Sequence, residues 1–148
     1  MAGIVSKWVV LHEHAVSADD VDADENVRDD VVEAWVREAC DAYLAQCHVL
    51  AAAAMREGLV RRSRIGALPP GAQLGRPGVV AVSASAREVR SGSFTIAVRL
   101  RTDGEPDVAV NTSCAVSLED AGTGEARELG DEIRDELIAL EHAAAHFN

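Results

Sequence analysis

Apolar positions along the chain follow two rhythms, and the places where one gives way to the other divide it into elements. Trp8 to Val16 is rich in Val and Leu and predicts a strand. From about Asp29 the spacing becomes helical. Val32, Val36, Ala39, Tyr43, Cys47, Leu50 and Ala54 recur every three or four residues and make one apolar stripe. Glu33, Arg37, Asp41 and His48 fall on the opposite face, with Glu33–Arg37 and Arg37–Asp41 at ion-pair spacing. Gly58 predicts the stop. The pattern therefore describes one helix of about 27 residues, roughly 40 Å long. Its second half, with Ala51 to Ala54, is thin nearly all round and suits close wrapping by a sheet.

Beyond Gly58 the period falls to two. Leu59 to Leu68, Val79 to Val89, Ser93 to Arg101 and Val108 to Leu118 read as strands. Turn signals separate them at Pro69-Pro70-Gly71, Arg76-Pro77-Gly78, Ser91-Gly92 and Asp103-Gly104. Asp120 to Glu128 is a polar loop. Asp131 to His146 is a second amphipathic helix, with Ile133, Leu137, Leu140 and Ala144 inward. Strands joined by short turns pair antiparallel, because parallel pairs need long crossovers. The expected architecture is α+β: one antiparallel sheet covering a long central helix, with a helix at the C-terminal end. No internal repeat or low-complexity linker divides the chain, and its 148 residues are read as one domain, 1–148.

Composition narrows the function classes. An apolar fraction of 48% excludes disorder, and an aromatic fraction of 3% leaves the core to Val, Ala and Leu. The net charge of −11 argues against non-specific nucleic-acid binding. Arg56, Arg61, Arg62, Arg64 and Arg76 nevertheless crowd one stretch, followed by Arg87 and Arg90, a local excess able to receive an anion. The most apolar run, Val49 to Met55, is too short to cross a membrane. Cys40, Cys47 and Cys114 are odd in number and lack zinc-finger spacing, so buried reduced thiols and a cytoplasmic location are expected, with no signal peptide.

Between strand and helix lies Ser17-Ala-Asp-Asp-Val-Asp-Ala-Asp-Glu-Asn26. Asp and Asn side chains bond nearby amides, so this stretch is a turn leading into a helix start, with Asp29 and Asp30 at the positive end of the helix dipole. It lacks the Gly and the distant Glu of a calcium loop. His12 and His14 face one side of their strand, but no third ligand is evident, and a surface or dimer-facing pair is the plainer account. His142 and His146, four apart on the last helix, lack a neighbouring glutamate motif. No metal and no cofactor is expected. Glu33 and Glu38 read as solvated or paired charges.

These elements and motifs resemble the hotdog fold, and within it the 4-hydroxybenzoyl-CoA thioesterase-like family. The resemblance spans roughly residues 8–140. It rests on Asp20-Val21-Asp22-Ala23-Asp24-Glu25-Asn26-Val27-Arg28-Asp29, on Trp35 early in the helix, on Glu88-Val89-Arg90-Ser91-Gly92-Ser93-Phe94, and on Asp103-Gly104-Glu105. It implies hydrolysis of an acyl-CoA thioester. Asp22 takes the position of the family's carboxylate nucleophile or general base. The amides of Val27, Arg28 and Asp29 take that of the oxyanion donors, and Arg90, Ser91 and Gly92 that of the CoA-binding hairpin. A homodimer or homotetramer with sites between subunits is implied, with no nucleic-acid or membrane partner. The chain departs from the family's Gly-His-Val-Asn-Asn, carrying Glu25-Asn26-Val27-Arg28-Asp29 instead. Extra carboxylates at Asp20, Asp24, Glu25, Asp29 and Asp30 would repel a phosphate-bearing ligand. The alternative is therefore a catalytically degenerate protein that binds an acyl-CoA or acyl-carrier ligand. A dehydratase would need an Asp/His motif that the sequence does not show.

Overall fold

The computed structural model describes residues 8–68, 74–75, 77–103 and 108–146. The expected turn at Pro69-Pro70-Gly71, Arg76, Gly104, Glu105 and the side chain of His146 lie outside them. In chain order the elements are β1 (Val10–Ala15), a 3-10 turn (Ala18–Asp20), α1 (Asp29–Ala45), α2 (His48–Glu57), β2 (Leu59–Ile65), β3 (Val79–Arg87), β4 (Ser93–Thr102), β5 (Val110–Asp120), β6 (Ala126–Arg127) and α3 (Asp131–His146). The main strands form one antiparallel sheet in the order β1-β3-β4-β5-β2, and short β6 pairs with β5 inside the polar loop. β1 and β2 are therefore the sheet edges.

The helical stripe read from the sequence is the buried face of α1. Val32, Trp35, Val36, Ala39, Cys40, Tyr43 and Leu44 all lie in the core. They meet the inward residues of β3 and β4, Val80, Val82, Ala84, Ile96, Val98 and Leu100 among them. Each fully buried Val or Leu contributes about 1.5–3 kcal/mol, so this face holds the domain together. Ala39 keeps the helix axis close to the strands. Among the described residues the Glu33–Arg37 and Arg37–Asp41 pairs do not close, and the Glu38 carboxylate lies 3.9 Å from His12 Nδ1 of β1.

The single long helix is corrected by the structure. The rod breaks at Gln46–Cys47, where Gln46 and Cys47 donate to the carbonyls of Tyr43 and Leu44 in a tightened last turn. A new helix then starts, and its exposed amides have an acceptor from α3: the Glu136 carboxylate takes Val49 N at 2.8 Å and Leu50 N at 3.2 Å. A carboxylate at a helix N-terminus satisfies orphan donors and opposes the dipole. The second half of the rod is also not wrapped as expected. Only Leu50 and Ala53 of α2 are buried, and Ala51, Ala52 and Met55 face outward. Gly58 does end α2, in the left-handed conformation at φ 65°.

A second tie joins α1, β3 and α3. Tyr43 Oη donates to Glu141 Oε2 at 2.5 Å, and Ala86 N donates to the same oxygen at 2.9 Å. Burial, reinforced by Glu141, holds the Tyr43 phenol well above the usual tyrosine range. All three cysteines are buried and free, as expected. Burial and the nearby Glu136 push the Cys47 thiol up to about 12.

Replacing Glu136 tests the helix break. Glu136→Ala removes both amide acceptors and should lower unfolding free energy by about 1–2 kcal/mol, the size of a lost helix cap. The urea midpoint should fall with an unchanged slope. An unchanged midpoint would mean that the cap contributes nothing.

Candidate active site

The acidic loop is ordered by its own carboxylates. Ser17 closes the 3-10 turn by donating to Asp20 Oδ2 from its amide (2.9 Å) and hydroxyl (3.1 Å). Asp22 Oδ1 accepts the amides of Asp24 (2.9 Å) and Asn26 (3.1 Å). The chain reverses between them, with Asp22 N bonded to Asn26 O at 2.8 Å and a single bridge joining Val21 to Val27. Asp22 thus has one oxygen committed to its loop. Among the described residues its other oxygen, Oδ2, has no hydrogen bond or ion pair, and the side chain is exposed. Asp20 is a structural acid, bonded through both its carboxylate and its carbonyl.

Glu25 sits at φ 63°, the left-handed region that favours glycine. This is the position at which the resemblance expects Gly, the residue that suits such a conformation. The three expected oxyanion donors separate. Val27 N donates to Gly75 O at 3.1 Å and Arg28 N to Asp20 O at 2.9 Å, so both are engaged. Closure of the loop thus occupies two of the three expected donors. Asp29 N, the first amide of α1, has no partner among the described residues. Arg28 instead reaches Asp30 with its guanidinium, at 3.1 Å.

Arg90, Ser91 and Gly92 form the tip between β3 and β4. Arg90 N donates to Ser93 O, and Ser91 O accepts Leu129 N, both at 2.7 Å, which pins the tip to the segment before α3. The Arg90 side chain is exposed and pairs with Glu88 at 3.2 Å, a weak surface contact that a stronger anion can displace. The register brings part of the Arg-rich stretch to this same end. Ser93 of β4 lies opposite Ser117 of β5, which lies opposite Arg62 of β2. A groove of about 340 Å³ runs there past Arg62, Arg64, Ser93 and Ser117. Arg62 is paired with Glu119 at 2.9 Å, and Arg56 with Glu132 at 2.9 Å.

The two halves of the expected site are not brought together within one chain. β1 ends beside Val79 and leads into the acidic loop, whereas the hairpin tip follows Arg87 at the other end of β3. The nine residues of β3 separate them, about 26 Å at 3.3 Å per step. One grouping went unrecognised in the sequence. Glu38 of α1 joins His12 and His14, the three offering ligand atoms within 4.8 Å of one another. Its signal was faint, since Glu38 is distant in sequence and lies on a solvated helix face.

An antiparallel sheet wrapped on a central helix in this strand order is the hotdog fold. Comparison with solved structures agrees on the fold, and several of the matching proteins are described as thioesterases. The chain resembles the 12:0-ACP thioesterase from Umbellularia californica with a TM-score of 0.77 and 14% identity, over 93% of this chain and 55% of the other. It thus spans about half the length of that enzyme (55%). It resembles a 1,4-dihydroxy-2-naphthoyl-CoA thioesterase from Synechocystis with a TM-score of 0.63 and 12% identity, over 89% and 97% of the two chains. A Staphylococcus aureus protein solved in complex with CoA matches with a TM-score of 0.69 and 8% identity, over 96% and 89%. No protein-family model matches the sequence, and no curated protein matches it significantly. Among the described residues no helix is long and apolar enough to cross a membrane.

The loop geometry carries a prediction. Glu25→Gly relieves a left-handed conformation that costs a side-chain-bearing residue about 1 kcal/mol, so the variant should be more stable by roughly 0.5–1 kcal/mol. Thermal unfolding at equal protein concentration checks it. A clear loss of stability would show that the Glu25 side chain holds the loop.

Proposed function

We propose that the chain hydrolyses an acyl-CoA or acyl-carrier thioester, with Asp22 as the base that activates water. The observation that carries this reading is the Asp22 carboxylate. One of its oxygens is tied down by two loop amides, and the other is left for chemistry beside the start of α1 on a hotdog fold. In this mechanism Asp22 Oδ2 takes a proton from water as the oxygen attacks the thioester carbonyl. The Asp29 amide, backed by the helix dipole, donates to the developing oxyanion. Collapse of the intermediate breaks the C–S bond. The thiolate leaves and takes the proton from Asp22, giving free acid and free thiol.

The separation of Asp22 from the hairpin supports a site built by two copies. A two-fold axis places unlike ends of two chains side by side, so the Arg90–Gly92 tip and the Arg62 groove of one copy can face the acidic loop of the other. The guanidiniums would take the phosphates of the CoA or carrier arm and offset the repulsion from Asp20, Asp24 and Asp30. A homodimer is the smallest assembly that meets this requirement, and a homotetramer contains it. The second reading, a non-catalytic acyl-thioester binder, is favoured by the engaged amides of Val27 and Arg28 and by Asn26 where the family's His would stand.

Turnover of a panel of acyl-CoA and acyl-carrier thioesters separates the readings. Asp22→Asn keeps an oxygen for the loop amides, so its stability should lie within about 0.5 kcal/mol of wild type, while activity falls at least about 100-fold. Full activity in Asp22→Asn would sink the mechanism. No turnover of any substrate, together with a CoA-dependent rise in Tm, would favour the binder. Mixing Asp22→Asn with Arg90→Ala chains tests the shared site. Random reassortment into dimers should restore roughly a quarter of wild-type sites, whereas a site within one chain restores none.

A further inference from the structure

His12 and His14 take no part in the proposed thioester chemistry, yet their surroundings are specific. Alternation along β1 turns both imidazoles toward α1. His14 stacks on Trp35, with centroids 4.8 Å apart and planes 14° from parallel, which fixes its ring. His12 meets His14 edge-on at 6.3 Å. Glu38, one helical turn beyond Trp35, brings a carboxylate to the same place.

We propose that His12, His14 and Glu38 bind one divalent transition-metal ion of the zinc class, joining edge strand β1 to α1. Two buried nitrogens argue for it. Among the described residues, His12 Nδ1 and His14 Nε2 are shielded from solvent and have no hydrogen-bond partner. The Glu38 carboxylate stands 3.9 Å from His12 Nδ1, too far for a hydrogen bond. Orphaned buried polar atoms are rare and destabilising. A shift of Glu38 onto His12 would satisfy one nitrogen and leave His14 Nε2 alone. A cation among the three satisfies both nitrogens and neutralises the carboxylate.

The geometry needs only a small contraction. The ligand atoms lie within 4.8 Å of one another, against about 3.4 Å for tetrahedral ligands at 2.0–2.2 Å from zinc. Glu38 has the freedom to close the gap, since its side chain is 58% exposed, whereas His14 is held by Trp35. Two imidazoles and one carboxylate favour zinc, cobalt or nickel over magnesium or calcium. Three protein ligands leave a fourth position for water.

Zinc titrated into the full chain at neutral pH, against a chromophoric chelator, measures affinity and stoichiometry. One ion per chain and a rise in Tm of a few degrees are expected. Cobalt in place of zinc should give the intense visible absorption of a tetrahedral site. Glu38→Gln, a change at an exposed side chain, should weaken zinc binding about tenfold or more. His12→Ala or His14→Ala should abolish it. His142→Ala, a control for the spaced pair on α3, should leave it unchanged. Circular dichroism without metal confirms that each variant folds. Failure of the wild type to bind zinc would overturn the proposal, as would unaltered binding in folded Glu38→Gln or loss of binding in His142→Ala.

Discussion

The packing of α1 onto the inner face of the sheet is the constraint on which the other features depend. Val36, Ala39 and Tyr43 are wholly buried there, against strand residues that are themselves wholly buried. A helix held along one face cannot slide or turn without exposing apolar surface at several positions. Its N-terminus is therefore fixed at the end of the sheet where β1 stops and β3 begins. The acidic loop is drawn into place by that anchoring, since Val27 must bond Gly75 and Arg28 must bond Asp20 before the first turn of the helix. The exposed Asp22 carboxylate belongs to this loop, and the open Asp29 amide begins the helix that follows it.

The same constraint sets the acidic loop and the Arg-lined groove at opposite ends of the strands. The acids lie before α1. The hairpin tip and the arginines of β2 lie at the far end of the strands, where the register aligns Arg62, Ser117 and Ser93. A rigid sheet cannot fold one end onto the other. Any chemistry that uses both must recruit a second molecule, and a net charge of −11 sharpens the requirement. An anionic substrate would avoid the acidic loop unless cations from elsewhere accompanied it.

The helical rod shows how local and distant terms compete. Its apolar period runs unbroken through Gln46 and Cys47, so local propensity permits one helix. The structure breaks it there, and α3 supplies Glu136 as an acceptor for the amides that the break releases. Burial of α1 and exposure of most of α2 follow from the same event. After the break the rod runs beside edge strand β2 and α3.

Much of the architecture was legible in the sequence, because burial on one face leaves a period that can be counted. The stripe from Val32 to Tyr43, the two-residue alternation from Val110 to Leu118 and the stop at Gly58 needed no partner to be recognised. The turn around Asp22 was legible through residues whose hydrogen bonds are local, whereas Asp22 itself was singled out only by the family resemblance. Three matters depended on the fold. The loss of the Val27 and Arg28 amides to Gly75 and Asp20, the capping by Glu136 and the meeting of Glu38 with His12 and His14 each join groups that the sequence separates, or that only loop closure brings together. A period records which face is buried. It does not record what lies opposite, because that is set by how separate elements pack.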